Sequence, residues 1–321
     1  MSKDIATYIK EELSVELHDL EAYRKKLFNQ FIMLIIPLTG IIIFAEFSLI
    51  TSNASPPFII FPFVAYIAIS ILLYKLVFNK KFKLKYKNTL ILKAFHYFDP
   101  NIIYQPEGFI TEEIFRKSLI FQHTNFNRYG GEDLINGVYN DTEFFVSEVF
   151  AQYKSSGKNS STHTIFDGIF LDASMDKSID GYLVLSYKKD ISQIATALNS
   201  FVKNLFGMKE NLKEYKGVKD RRFNETYSVY CSHSFIAETI LNPDFIDKAL
   251  EFNKFERPIV FSFVDDHFYI ATPNKKNLFE GKLHKSILGL NNIEAEMNEY
   301  MNLINTLKVL DVKEAVKRVN S

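Results

Sequence analysis

The hydrophobic pattern of this chain begins with two long apolar runs near the N-terminus. The first, Leu27 to Ala45, holds nineteen residues without a charge, and the second, Thr51 to Tyr74, is uncharged until Lys75. Nineteen helical residues rise about 28 Å, close to the thickness of the hydrocarbon core of a bilayer. Both runs are therefore long enough to cross a membrane.

Neither a soluble core nor a secretory signal accounts well for these runs. Buried core helices of a soluble protein are seldom this long and this apolar. A secretory signal does not fit either, because about thirty mostly polar residues precede the first run and a second run follows almost at once. We predict a helical hairpin with spans at residues 27–50 and 57–78, joined by a short external loop at 51–56.

Basic residues flank the runs on one side only. Arg24, Lys25 and Lys26 precede the first run, a basic segment at 79–88 follows the second, and the link from 46 to 57 has no Lys or Arg. The positive-inside rule then predicts that both termini lie in the cytoplasm, with the hairpin in the inner membrane. Such a run is most often a topology signal, and it can also hold anionic lipid headgroups. The lysines predicted at the membrane surface are Lys75, Lys80, Lys81, Lys83, Lys85 and Lys87.

Residues 1–26 have the pattern of a cytosolic amphipathic helix. Acidic residues come early and basic residues last, which suits the helix dipole. This helix can run straight into the first span, pack on the soluble domain, or pair with another copy of the chain. Its apolar residues at helical spacing are Ile5, Ile9, Leu13, Leu17, Leu20 and Leu27.

Residues 89–321 alternate between strand and helix patterns. Asn140–Asp141 and Asp265–Asp266 separate apolar arms and predict two hairpins. Strands joined mostly by hairpins, with helices between and after them, indicate an α+β cytosolic domain with an antiparallel sheet. The predicted helices are at Ile191 to Phe206, at Phe235 to Phe252 with Pro243 between two pieces, and at Ile293 to Val319.

Composition excludes little. The chain has 38 basic and 38 acidic residues, so nothing in its charge points to nucleic acid. The 31 Phe residues, with Ile, Lys and Asn abundant and no Trp, are typical of an AT-rich bacterium. The single cysteine, Cys231, rules out an internal disulfide and fits a reducing compartment.

Two short motifs are weak candidates for chemistry. The stretch "SSGKNSST" contains a Gly-Lys pair, but Gln152 and Asn159 stand where a P-loop has Gly and a hydroxyl residue, so a hairpin loop is favoured. Cys231 and His233 form a Cys-x-His pair without a second ligand cluster, and a structural cysteine is favoured. We predict no cofactor and no metal site.

The stretch "RYGGEDLING", from Arg128 to Gly137, is the main candidate. Its glycines let the backbone approach a ligand, and Glu132 beside Asp133 can act as a general acid/base or a metal anchor. Adjacent carboxylates in a regular strand or helix face different ways, however, and Glu148 would have to supply a second carboxylate across the sheet. The favoured interpretation is a tight turn whose carboxylates cap amides or pair with basic residues.

Taken in order, several motifs resemble a known family. The two runs, the basic junction, "YQPEGFITEEIFRKSLIF", "RYGGEDLING", "FFVSEVFAQY" and "RPIVFSFVDDHFYIATPNKKNLFE" are similar to bacterial membrane proteins of domain of unknown function family 3137. The resemblance implies a two-span inner-membrane protein with one cytosolic domain, and it implies no activity. The residues that match its signature are Tyr129, Gly131, Glu132, Asp133, Ser147 and Glu148.

Three functions follow as hypotheses. The first is a non-enzymatic, membrane-tethered domain that binds a partner protein, a small ligand or a second copy of itself. The second is an enzyme acting on a membrane-associated substrate, with Glu132, Asp133 or Glu148 as acid/base. The third is a lipid-binding shell suggested by the many Phe residues, most of which we expect in the core.

Overall fold

The computed structural model describes residues 5–52, 55–121, 124–157, 160–188, 213–252, 258–274, 277–289 and 293–319. The chain divides into two units, each made of two chain segments. One unit combines Met1–Pro100 with Leu278–Met297, and the other combines Asn101–Asn277 with Asn298–Ser321. The helix predicted at Ile191 to Phe206 lies outside the described residues.

The first unit contains two long apolar helices. Ser14–Thr51 is one continuous helix, and a second runs from Pro56 to Phe98. The most apolar eighteen-residue stretch of each has no buried residue, and both helices are long and apolar enough to cross a membrane. The second helix consists of α-helical parts at Pro56–Leu72, Lys80–Tyr86 and Leu92–Phe98, joined by π-helical turns at Leu73–Asn79 and Lys87–Ile91.

The two long helices lie side by side and antiparallel. The hydroxyl groups of Thr39 and Tyr66 are hydrogen-bonded to each other. Toward the other end, the Phe31 ring lies 5.3 Å from the ring of Tyr74 and 5.4 Å from that of Phe78. Residue numbers therefore run in opposite directions along the two helices, as they do in a helical hairpin.

The N-terminal segment packs within this unit. A short helix, Ile5–Glu11, comes before the long helix, and a break at residues 12–13 separates the two. Tyr8 stacks on Tyr97 at 4.4 Å between ring centres. Of the arrangements left open by the sequence, the structure has the long helix running directly from the amphipathic segment into the apolar run. The buried apolar residues of the segment are Ile5, Ile9, Leu13, Leu17, Leu20 and Leu27.

A loop at residues 278–289, here called the crosspiece loop, joins the two long helices. The backbone N–H of Leu283 donates to Asn79 Oδ1 at 3.0 Å, and its carbonyl accepts from Arg24 Nη1 at 2.7 Å. Arg24 is buried and pairs with Glu21, whose carboxylate also accepts the N–H of Ile287. One residue of the crosspiece loop thus bridges both helices.

The second unit is built on an antiparallel sheet, so the predicted α+β class is confirmed. Among the described residues the sheet has nine strands in the order β1-β2-β3-β4-β9-β8-β5-β7-β6. The strands are β1 Ile103–Gln105, β2 Arg128–Tyr139, β3 Thr142–Lys154, β4 Thr162–Ser174, β5 Tyr182–Tyr187, β6 Glu214–Tyr215, β7 Tyr227–Cys231, β8 Val260–Val264 and β9 His267–Pro273.

Both predicted hairpins are present. Asn140 and Asp141 join β2 to β3 with φ angles of 50° and 57°, the positive values that a two-residue hairpin turn requires. Asp265, with φ of 52°, begins the turn between β8 and β9. These short polar residues adopt the left-handed conformation more readily than branched ones, which is why the turns are visible in the sequence.

Helices pack around this sheet. Thr111 caps the helix Glu112–Lys117, whose Phe115 stacks on Phe121 at 4.3 Å between ring centres. The predicted break at Pro243 is confirmed, since one helix ends at Ile240 and the next starts at Pro243. The other helices in the described part of the chain are Arg221–Thr226, Ser234–Ile240, Pro243–Phe252, Ile293–Val309 and Val312–Val319.

Candidate functional site

The stretch of the sequence with three glycines and two acids lies in strand β2, and it contains a β-bulge. Gly131 faces Val149 and Glu132 faces Glu148, but the next pair in register is Ile135 with Val146. Asp133 has a φ of 61°. Its N–H donates to the carbonyl of Pro106 at 3.1 Å instead of to β3. The predicted tight turn is therefore wrong: the backbone continues as a strand with one extra residue, because Asp133 and Leu134 together lie opposite Ser147.

This bulge brings the carboxylates together. In a regular strand the side chains of Glu132 and Asp133 would point to opposite faces. The left-handed conformation at Asp133 breaks that alternation, and the register places Glu148 opposite Glu132. Each of the three carboxylates has an oxygen within 4.8 Å of an oxygen of the others. The expectation that adjacent acids face apart is wrong for this pair, and Glu148 lies opposite Glu132 on the neighbouring strand.

Two tyrosines border this carboxylate cluster. The hydroxyl of Tyr104, on β1, donates to Asp133 Oδ1, and both residues are buried. Tyr300, on the helix Ile293–Val309, is fully buried. Burial, and then the charges of Glu148 and Asp133, raise the pKa of Tyr300 well above its ordinary value. Burial and Asp133 likewise raise the pKa of Tyr104. Both phenols therefore keep their protons at neutral pH.

The cluster has two chemical capabilities. Like charges directly opposite each other on neighbouring strands repel, and a nearby carboxylate favours the protonated form of its neighbour. Three such groups can therefore share a proton and work as a general acid/base pair. The same oxygens are also the ligands that a hard cation such as Ca²⁺ or Mg²⁺ prefers.

The other residues of the signature hold the backbone around the cluster. The Tyr129 hydroxyl donates to the carbonyl of Ile110 at 2.8 Å, and the N–H of Ile110 donates to Ser147 Oγ at 3.0 Å. A Cβ on Gly131 would lie 2.1 Å from the carbonyl oxygen of Glu148. Burial raises the pKa of Tyr129, so its hydroxyl remains a donor. Tyr129, Gly131 and Ser147 are thus positioning residues for the three acids.

The predicted membrane-surface lysines divide into two groups. Lys83 Nζ pairs with Glu280, and Lys87 is completely buried with its Nζ 4.0 Å from the same carboxylate. Lys87 is therefore not a surface residue. The lysines of this group that are exposed are Lys75, Lys80, Lys81 and Lys85.

Cys231 and His233 do not form a reactive pair. The thiol is buried, and burial raises its pKa, which disfavours the thiolate. His233 is exposed and its Nδ1 lies 3.2 Å from Ser232 Oγ. This geometry agrees with the structural role expected from the sequence.

Sequence reasoning missed a second ionisable pair. His267 Nδ1, on β9, lies 2.7 Å from Oδ1 of the buried Asp172 on β4. This hydrogen bond raises the pKa of His267 above its ordinary value of 6.5. Tyr104 and Tyr300 were missed in the same way, because each lies far along the chain from the acids that it approaches. Only the polar hydroxyl at an otherwise apolar position marks Tyr300 in the sequence.

The second unit also has a small cleft of about 290 Å³. Tyr215 donates to Glu238 Oε1 at 3.2 Å across its rim. This volume lies at the lower end of the range for small-molecule sites, so the carboxylate cluster remains the stronger candidate. The cleft is lined by Tyr215, Gly217, Val218, Lys219, Asp220, Ala237, Glu238, Leu241, Pro243 and Ile246.

Comparison with known proteins confirms the family resemblance over part of the chain. Residues 164–311 match the family described as "Protein of unknown function (DUF3137)". The carboxylate cluster and its signature precede the matched residues. No protein with a curated description matches the chain.

One solved structure is similar, the crystal structure of the mycobacterial trehalose monomycolate transport factor A, TtfA. The alignment has 8% sequence identity, covers 71% of this chain and 94% of that one, and has a TM-score of 0.33. A likeness at this level carries no argument about fold or function.

Proposed function

We propose that this protein is anchored by a two-helix hairpin in the inner membrane of a bacterium, and that its cytosolic domain binds a partner protein or a small ligand. The observation that carries the anchor is the exposure of the long helices. Phe44 and Phe61 are each 75% exposed, and the most apolar part of either helix has no buried residue. An apolar surface of this length is stable in lipid and unstable in water.

The proposed orientation follows from the basic residues. Positive charge gathers where the chain enters the first helix and leaves the second, and the link from 46 to 57 carries none. We therefore propose that both termini lie in the cytoplasm, as the positive-inside rule predicts. A membrane fraction washed with alkaline carbonate should retain the protein. Release of the protein into the wash would contradict the proposed membrane anchor. A reporter that works only in the periplasm, fused after Ser321, should be inactive. Activity of that reporter would contradict the proposed orientation.

Binding by the cytosolic domain needs the full chain for its test. The crosspiece loop packs against residues from both long helices, so a fragment starting at residue 89 would cut through a packed unit. Chemical crosslinking of the full chain in cells, followed by purification, should enrich a partner or ligand over an unrelated two-span membrane protein that is purified in the same way. If nothing is enriched over that control, the proposed binding function is contradicted.

The apolar stripes at the two ends of the chain no longer favour a homo-oligomer. Ile9 of the first helix and Met297, Ile304 and Leu307 of the long C-terminal helix are 0–2% exposed. Because these side chains are covered within one chain, subunit pairing would need another surface. The homo-oligomer remains a proposal. The molecular mass of the protein measured in detergent tests it, because a mass of one chain would contradict it.

A second candidate function is acid/base catalysis on a membrane-associated substrate. It is favoured by the convergence of Glu132, Asp133 and Glu148 beside two protonated tyrosines. A shared proton gives an infrared carboxyl band at neutral pH. Glu148→Gln should remove this band, and Glu143→Gln, an exposed acid on the same strand, should leave it. Absence of the infrared band in the unmodified protein would contradict the proposed acid/base function.

A further inference from the structure

Two lysine pairs, Lys25–Lys26 and Lys80–Lys81, lie at the same level of the helical hairpin. Leu283 of the crosspiece loop accepts from Arg24 through its carbonyl and donates to Asn79 through its N–H. Leu283 therefore connects Arg24 and Asn79, which directly precede the two lysine pairs in the sequence. The contacts of Phe31 with Tyr74 and Phe78 give the same alignment one to two turns along the helices.

All four of these lysines are exposed. They differ in this from Lys83 and Lys87, which turn inward to Glu280. The inward and outward lysines thus have separate tasks, although they follow one another in the sequence.

The two pairs lie at the edge of the apolar surface. The uncharged run begins at Leu27, directly after Lys26. On the second helix, Leu76 and Val77 are 65% and 50% exposed just before Asn79. In a bilayer the apolar side chains face the acyl chains, and lysines one turn beyond them reach the level of the phosphates.

We propose that Lys25, Lys26, Lys80 and Lys81 form a binding surface for anionic phospholipid headgroups. This proposal rests on the membrane anchor proposed above, and it names the residues that select the lipid. Charge complementarity supports it: four exposed cations from two helices face a layer of phosphates, and zwitterionic lipids lack the net charge that would be attracted. Each lysine near an anionic surface contributes about 1 kcal/mol, or about fivefold in affinity.

Lipid selectivity can be measured on the full chain reconstituted in phosphatidylcholine vesicles. Spin-labelled phosphatidylglycerol and, separately, spin-labelled phosphatidylcholine report the fraction of lipid bound to the protein. The unmodified protein should prefer phosphatidylglycerol. Replacing the four lysines with Gln should lower that preference by about tenfold or more, and replacing them with Arg should preserve it. Salt at about 1 M should weaken the preference in the unmodified protein, because the Debye length falls to about 3 Å.

A matched control removes four exposed lysines elsewhere, Lys117, Lys154, Lys216 and Lys308, by the same change to Gln. It should leave the preference unchanged. Equal binding of both lipids by the unmodified protein would overturn the proposal, and so would an equal loss in the control variant. If the Gln variant fails to fold, the salt dependence and the Arg variant still decide. Loss of the protein in the carbonate wash would instead mean that the anchor itself is wrong.

Discussion

Gly131 is the residue at which one added methyl group should disturb the carboxylate cluster most. An alanine Cβ there would lie 2.1 Å from the carbonyl oxygen of Glu148 and 2.8 Å from Cβ of Phe109. Because one of these atoms is backbone, β2 and β3 must move apart by about 1 Å. Overpacking costs about 1–3 kcal/mol, and each ladder hydrogen bond that is lost adds about 1 kcal/mol. We expect Gly131→Ala to lower the free energy of unfolding by about 3–4 kcal/mol.

The assay is urea unfolding of the full chain in detergent, followed by circular dichroism. Gly137→Ala is a control in the same strand, because its new Cβ would lie 3.4 Å from the ring of Phe144, an ordinary contact. We expect this control to change the free energy of unfolding by less than about 1 kcal/mol. Equal effects of the two substitutions would refute the idea that the close approach at Gly131 sets the geometry of the cluster.

Three further predictions concern ionisable groups. Glu148→Gln should raise the unfolding temperature at neutral pH, because it removes a like charge opposite Glu132 worth about 0.5 kcal/mol; a decrease would contradict this and would favour the acid/base candidate, in which the cluster shares a proton. The pKa of His267 is raised by Asp172, so its ion pair stabilises the fold fully below about pH 6.5 and is lost as pH rises through the folded-state pKa. The stability difference between the unmodified protein and His267→Gln should therefore shrink from about pH 5.5 to about pH 8.5, and a constant difference would contradict this. Cys231, buried and with a raised pKa, should react with a thiol reagent only after denaturant is added, and fast labelling of the native protein would contradict its burial.

Local chemistry accounts for the features that the sequence could predict. The hairpin at Asn140–Asp141 is visible because both residues tolerate positive φ between two apolar arms. The break at Pro243 is visible because proline favours the first turn of a helix, where its missing N–H would have no partner within the helix. The long helices are visible because each contains an uncharged run that is long enough to cross a membrane.

The bulge at Asp133 could not be predicted because distant residues decide it. The N–H groups of Asp133 and Leu134 bond to Pro106 and Gly108, which precede them by 27 and 26 residues. Glycines next to acids are a turn signal when read alone, and that signal led to the wrong expectation. The direction of Lys83 and Lys87 is set in the same way, by Glu280 far along the chain.

The crosspiece loop also has a consequence for the order of events during synthesis. Leu283 follows Asn79 by 204 residues and Arg24 by 259. At a ribosomal rate of about 5–20 residues per second, the hairpin is complete for about 10–40 s before its bridging residue exists. With the membrane anchor proposed above, we expect insertion of the helices to precede their final alignment, so that they first form a loosely packed pair in the bilayer. A chain on a ribosome stalled before residue 278 should already resist carbonate extraction, but it should lack the hydrogen bonds of Leu283 that join the two helices.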